Sequence, residues 1–149
     1  MNYTIKNLLS LFCVFCLGFV LLSMPNEWVC LDIKDQHVCL RILRSKSHQR
    51  RGFQLVEDIR PNEGLLYILA DTKKPNFWMR DVIHHLDIVF VDEDGYIVDL
   101  VEAKPHRSDR IKAPSNAWYA IELPKGTAHQ LQLSKGSKIA LGGAFSRFH

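Results

Sequence analysis

His84, His85 and Asp87 stand within four consecutive positions, and these side-chain types bind metal ions and move protons. On an extended strand side chains alternate, so His85 and Asp87 share a face and His84 points away. Two donors are too few for a metal site. A zinc-type centre needs further ligands from elsewhere, and His106, His129 and Glu122 are the candidates. Asp87 also has a possible partner in Glu122. Two carboxylates about 5–9.5 Å apart across an open cleft can act as acid and base on a sugar. The architectural alternative is plainer. Asp87 interrupts an apolar strand, and a half-buried carboxylate needs a partner, for which Arg51 and Arg80 are the expected residues.

Phe77 and Trp78 are adjacent, so they face opposite sides of their strand. One fills the core. The other either packs as well or offers a stacking surface to a ligand. Arg80 and Asp81 diverge by the same rule and are not expected to pair. Nucleophilic catalysis has no support: neither Cys30 nor Cys39 lies in a Cys-x-x-Cys motif, and no serine sits in a Gly-x-Ser-x-Gly elbow. There is no glycine-rich phosphate loop. Asp92-Glu93-Asp94-Gly95 is too short for a calcium loop and reads as a turn. No cofactor is implied.

Cys30 and Cys39 are separated by eight residues centred on Lys34-Asp35. If those two form a hairpin turn, Ile33 faces Gln36 in a hydrogen-bonded pair. Cys30 then faces Cys39 in a non-hydrogen-bonded pair, whose Cα atoms approach to about 4.5 Å, within disulfide range. A Cys30–Cys39 disulfide formed in an oxidising compartment is expected.

The elements that must carry these residues begin with an apolar run. Residues 8–24 are broken only by Ser10, Gly18 and Ser23, and Lys6 precedes them. The length falls between a signal peptide and a membrane span, and no small-residue cleavage site stands before Pro25. An uncleaved signal-anchor helix is favoured over a cleaved peptide. Trp28 would sit at the membrane interface. The domain is then expected outside the cytoplasm, in the periplasm, tethered to the inner membrane or secreted.

Residues 25–37 read as a linker and hairpin, and 38–149 as a single β-rich domain. Lys6 is the one charged residue before Pro25, leaving 18 bases against 16 acids. That balance argues against a nucleic-acid partner. Arg41, Arg44, Lys46, Arg50 and Arg51 cluster as a solvated helix and loop, or as a contact with anionic membrane surface.

Along the domain, 38–43 reads as a strand. Ser45 and Ser47 are N-caps for a short helix over 48–51, which Gly52 ends. Residues 65–70 form an apolar strand, and 77–99 read as strand, strand, tight turn, strand. Asp94-Gly95 is the strongest hairpin signal, expected as a type I′ turn. Residues 104–116, with Pro105 and Pro114, read as a long exposed loop. Strands follow at 117–123 and 137–141, with one helical turn at 127–131. About eight short strands and few helices argue for an all-β sandwich or barrel.

With these elements laid out, the chain resembles the family called domain of unknown function 192, or uncharacterised ACR proteins, over roughly residues 38–141. Its pattern appears as Arg51-Gly52, Gly64-Leu65-Leu66, Phe77-Trp78-Met79-Arg80-Asp81, Leu86-Asp87 and the Asp92-x-x-Gly95 turn. It continues in Pro105, Glu122-Leu123, Gly126 and Gly136. The family has Lys-Asn where Arg80-Asp81 stands, Pro where His85 stands, and Leu-Met where Phe53-Gln54 stands. The resemblance implies a jelly-roll-like β-sandwich, often exported, with no established reaction.

The sequence-based expectation is therefore a mainly β, jelly-roll-like sandwich or barrel with one or two short helices behind an N-terminal apolar helix. Its function is read as binding a small ligand, a glycan or an envelope protein, and enzymatic activity is not favoured. Arg51, Trp78, Arg80, Asp81 and Asp87 are the candidate ligand-binding residues. The alternatives are a carboxylate-dependent hydrolase using Asp87 and Glu122, a metal site using His85 and Asp87, and a structural accessory of a membrane complex.

Overall fold

The computed structural model describes residues 27–69 and 75–140. The apolar N-terminal segment lies outside these residues, as does the end of the strand expected at 137–141. Eight strands and two short helices make up the described part. They are β1 (Trp28–Ile33), β2 (Gln36–Leu43), α1 (Lys46–Arg51), β3 (Glu63–Ile68) and β4 (Asn76–Trp78). Then come β5 (Leu86–Val91), β6 (Ile97–Ala103), β7 (Arg110–Lys112), β8 (Tyr119–Pro124) and α2 (Thr127–Gln130).

Six strands form one sheet in the order β1-β2-β3-β8-β5-β6, and β4 pairs with β7 in a separate two-stranded ribbon. The end strands β1 and β6 do not pair, so no barrel closes. The jelly-roll expectation also needs correction. All pairs are antiparallel except β2 and β3, which run parallel. A parallel pair needs a crossover, and α1 with its flanking loop supplies it. The expected hairpin is present, and it joins the sheet with β1 as its edge strand.

Local chemistry explains the elements. Lys34 and Asp35 both adopt positive φ, 50° and 63°, as a type I′ turn requires. The register then follows: Ile33 faces Gln36 and Cys30 faces Cys39. The two cysteine Cα atoms are 4.0 Å apart and the sulfurs are bonded. The Ser45 hydroxyl accepts from the His48 N–H at the start of α1, and Gly52 ends the helix with φ 47°. The Asp94-Gly95 hairpin differs from the expected type. Gly95 alone is left-handed there, and Asp92 N–H bonds to Tyr96 O across a three-residue loop. The Asp92 side chain accepts from the N–H groups of Asp94 and Tyr96, which favours this turn over type I′. The loop at 104–116 contains β7, and Lys138 makes only an isolated bridge with Tyr96 instead of a strand.

Strand alternation divides the core between the two faces of the sheet. One face carries Leu40, Ile42, Leu66, Val89, Val91, Ile121 and Leu123, covered in part by Ala128 and Leu131. The other carries Leu43, Leu65, Tyr67, Ile88, Phe90 and Ala120. Phe77 of β4 pins the ribbon onto this second face, edge-on to Tyr67 at 5.0 Å and to Phe90 at 5.5 Å. Burying one such aromatic side chain contributes about 1.5–3 kcal/mol.

Candidate functional site

The second face carries a groove between α1, the end of β3 and the ribbon. Its volume is about 740 Å³, in the range of small-molecule sites. Three local features hold its walls. Gln49 donates to Leu43 O at 2.9 Å and fastens α1 to β2. Leu55 N–H bonds to Asp81 O at 3.0 Å, tying the loop after α1 to the turn after β4. The His84 Nε2 atom lies 3.0 Å from Val56 O and 3.1 Å from Glu57 O, reinforcing the same junction.

The floor is Glu122, on the central strand β8, beside Tyr67 on β3. Glu122 is only 6% exposed. The Tyr67 hydroxyl donates to its Oε2 at 2.8 Å. Among the described residues its Oε1 has no hydrogen-bond partner. Burial pushes this carboxyl up from its ordinary 4.5 to about 7, and the Tyr67 hydrogen bond opposes only part of that rise. Burial and the neighbouring Glu122 hold the Tyr67 phenol well above its ordinary value. Gly52 closes over the pair. A Cβ there would lie 2.5 Å from the Tyr67 hydroxyl and 3.4 Å from Glu122 Oε2, so only glycine fits. Gly64 brings β3 close to β8 in the same way, since its Cβ would meet Glu122 O at 2.5 Å.

The rim is basic. Lys46, Arg50 and Arg51 line it from α1, Arg80 from the end of β4, and Arg110 from β7. Trp78 is paired in register with Arg110, and its ring lies 5.4 Å from that guanidinium and 5.2 Å from that of Arg80. Trp78 is 39% exposed, so it serves the groove edge while Phe77 fills the core. Asp81 is the one acid on the rim. It lies 3.7 Å from Arg80, against the expectation that the two diverge. The cause is backbone: the chain leaves β4 in a turn, with Asp81 at φ 59°, instead of continuing extended.

Of the five expected binding residues, the groove gathers Arg51, Trp78, Arg80 and Asp81 and leaves out Asp87. Asp87 is paired with Leu123 and Glu122 with Ile88, so the two carboxylates project from opposite faces of the sheet. They cannot share a cleft as a hydrolase pair. Asp87 Oδ2 accepts from the Ala128 N–H at 3.0 Å and anchors the first turn of α2. Neither Arg51 nor Arg80 is its partner, because both belong to the other face. His85 is exposed, with Nδ1 3.8 Å from Glu102 Oε1. Among the described residues, three His, Cys, Asp or Glu donors gather within 4.8 Å at Cys30, His37 and Cys39, not at His85 and Asp87. Both sulfurs there are committed to the disulfide.

The sequence reading missed Tyr67 and Arg110 as groove residues. Tyr67 was hidden in an apolar run, and Arg110 in a proline-flanked loop. The available signal was the single polar atom that Tyr67 carries into an otherwise apolar run.

A protein from Novosphingobium aromaticivorans, of unknown function, is similar in fold, with 21% identity and a TM-score of 0.64 over 75% of this chain and 81% of that one. A protein from Sinorhizobium meliloti, described as a candidate transcription regulator, is 25% identical with a TM-score of 0.67, over 78% of this chain and 94% of the other. No curated protein matches the chain. The family model for uncharacterized ACR proteins, domain of unknown function 192, matches residues 29–141, from the disulfide hairpin past the last core residue, and the chain belongs to that family.

Proposed function

We propose that this protein is an extracytoplasmic binding domain, tethered to the membrane by its N-terminal segment, and that it holds a small ligand in the groove above Glu122. The observation that carries this reading is the groove itself. It joins an enclosed polar floor, an exposed indole and five basic side chains in one concavity of about 740 Å³. Apolar walls with a few converging polar groups are the usual form of a ligand site. The 17-residue apolar run at 8–24 supports the tether, and the Cys30–Cys39 pair supports an oxidising compartment. The near balance of 18 bases and 16 acids after Pro25 favours a small molecule over a nucleic-acid backbone. A catalytic reading has less behind it, since Asp87, the carboxylate expected to work with Glu122, projects from the opposite face of the sheet.

Native mass spectrometry tests the proposal on the full chain, extracted from its own membranes in mild detergent without chelator. The expected result is mass beyond the polypeptide that is lost in Trp78→Ala and Arg80→Ala. A bare polypeptide mass, or bound mass unaffected by both substitutions, contradicts it.

A further inference from the structure

We propose that the groove binds a small molecule carrying an oxyanion on a ring or other apolar body, and that binding takes up one proton on Glu122. The inference rests on the groove being the ligand site and names what enters it. Three features of the geometry lead there.

The first is charge. The rim presents Lys46, Arg50, Arg51, Arg80 and Arg110 against Asp81 alone. A guanidinium stacked on an indole keeps its in-plane N–H groups for an oxyanion, and Arg80 and Arg110 both lie over Trp78. The second is the floor. An ionised Glu122 would repel an anion and accept hydrogen bonds, whereas a protonated one donates. Its Oε2 is occupied by Tyr67, and Oε1, which has no hydrogen-bond partner among the described residues, would meet the ligand oxygen. The third is what the Glu122 carboxyl meets directly on the floor. From β3 Glu122 meets the neutral Tyr67 phenol, and from β5 the apolar Ile88. Arg41 of β2 stands in the same row on the far side of Leu65; its charge acts on the Tyr67 phenol, where it opposes the rise, and its buried Nε has no hydrogen-bond partner among the described residues. The bases of α1, β4 and β7 line the rim. Burial pushes the carboxyl up to about 7, and the hydrogen bond from Tyr67 opposes that rise.

The proton balance is simple. Above neutral pH the empty groove holds Glu122 as a carboxylate. The arriving oxyanion draws a proton from solvent onto Oε1, and that proton then bridges Glu122 and a ligand oxygen. Below neutral pH the proton is already in place and none is taken up.

The test is calorimetric titration of the full chain in non-ionic detergent with 4-nitrophenyl sulfate. This probe carries a ring and an oxyanion whose charge is constant between pH ~5.5 and ~8.5. Affinity is expected to be level on the acid side and to fall roughly tenfold per pH unit above about 7. At pH ~8, buffers of different ionisation enthalpy should report uptake of about one proton. Glu122→Gln should bind with no pH slope and no uptake. Tyr67→Phe removes the hydrogen bond that lowers the carboxyl, so its break should move to higher pH, and this variant keeps the test open if Glu122→Gln does not fold. Arg80→Ala and Arg110→Ala should weaken binding at every pH. A flat profile in the native chain, a slope that survives Glu122→Gln, or no binding at any pH overturns the inference. If the sulfate ester fails while an uncharged compound is retained in native mass spectrometry, the oxyanion inference falls and the groove reading stands. If both measurements come up empty, both fall.

Discussion

Asp87 and Glu122 are buried to the same degree, 6% exposed each, on neighbouring strands of one sheet. Asp87 faces the side closed by α2 and accepts a backbone hydrogen bond there. Glu122 faces the groove, with one oxygen bonded to a neutral phenol and the other without a hydrogen-bond partner among the described residues. The same functional group is thus a fixed support on one face and a titrating floor on the other. Burial is common to both, so the difference lies in what each carboxyl meets. A group satisfied by fixed N–H donors belongs to the fold, whereas one left near neutrality in a cavity is poised for a ligand.

Glu122 should produce the largest effect. Its carboxyl ionises near 4.5 when unfolded and at about 7 when folded. Between those values the folded state holds a proton that the unfolded state has released. Stability therefore falls as pH rises through that window, and levels off above about 7. The gap corresponds to about 3 kcal/mol in order of magnitude. Glu122→Gln should be more stable than the native chain at pH ~8 by up to about 3 kcal/mol, and the advantage should vanish near pH ~4. Denaturant titration across pH measures both.

Asp87→Ala should act in the opposite sense. It leaves the buried Ala128 N–H unpaired and empties space in the core, at a cost of about 2 kcal/mol. Asp87→Asn keeps an acceptor and should lose about half as much. Chemical denaturation separates the two. An Asp87→Ala variant as stable as the native chain would erase the contrast between the carboxylates.

Trp78→Ala should be the mildest. Its ring is partly exposed and packs against two exposed guanidiniums, so the loss should be under about 1 kcal/mol. Thermal denaturation should barely move, while retention of bound mass should disappear. A large fall in stability would make Trp78 a core residue instead of a groove residue.

The hairpin at 28–43 was legible because a two-residue turn fixes every cross-strand pair by counting. The helix α1 was legible from Ser45 and Gly52, whose side chain and conformational freedom mark its ends. The groove rim was partly legible, since Arg51, Trp78, Arg80 and Asp81 fall in the family's motifs. What the sequence could not supply was register between distant strands. Whether Asp87 and Glu122 share a face depends on Asp87 pairing with Leu123 instead of Glu122, a shift of one residue that no local pattern encodes. The parallel β2–β3 pair was hidden for the same reason. The strand β7 was missed because three residues between prolines carry too little pattern to register.

The central claim is that Glu122 holds a proton near neutrality while it forms the floor of the groove. Its most direct test is a carbon-13 titration of the side-chain carboxyl in the full chain, assigned by comparison with Glu122→Gln. The account predicts a midpoint near 7, well above the ordinary 4.5 of a solvated glutamate. A midpoint at or below 4.5 would mean that a cation or water compensates the buried charge, and the contrast with Asp87 would collapse.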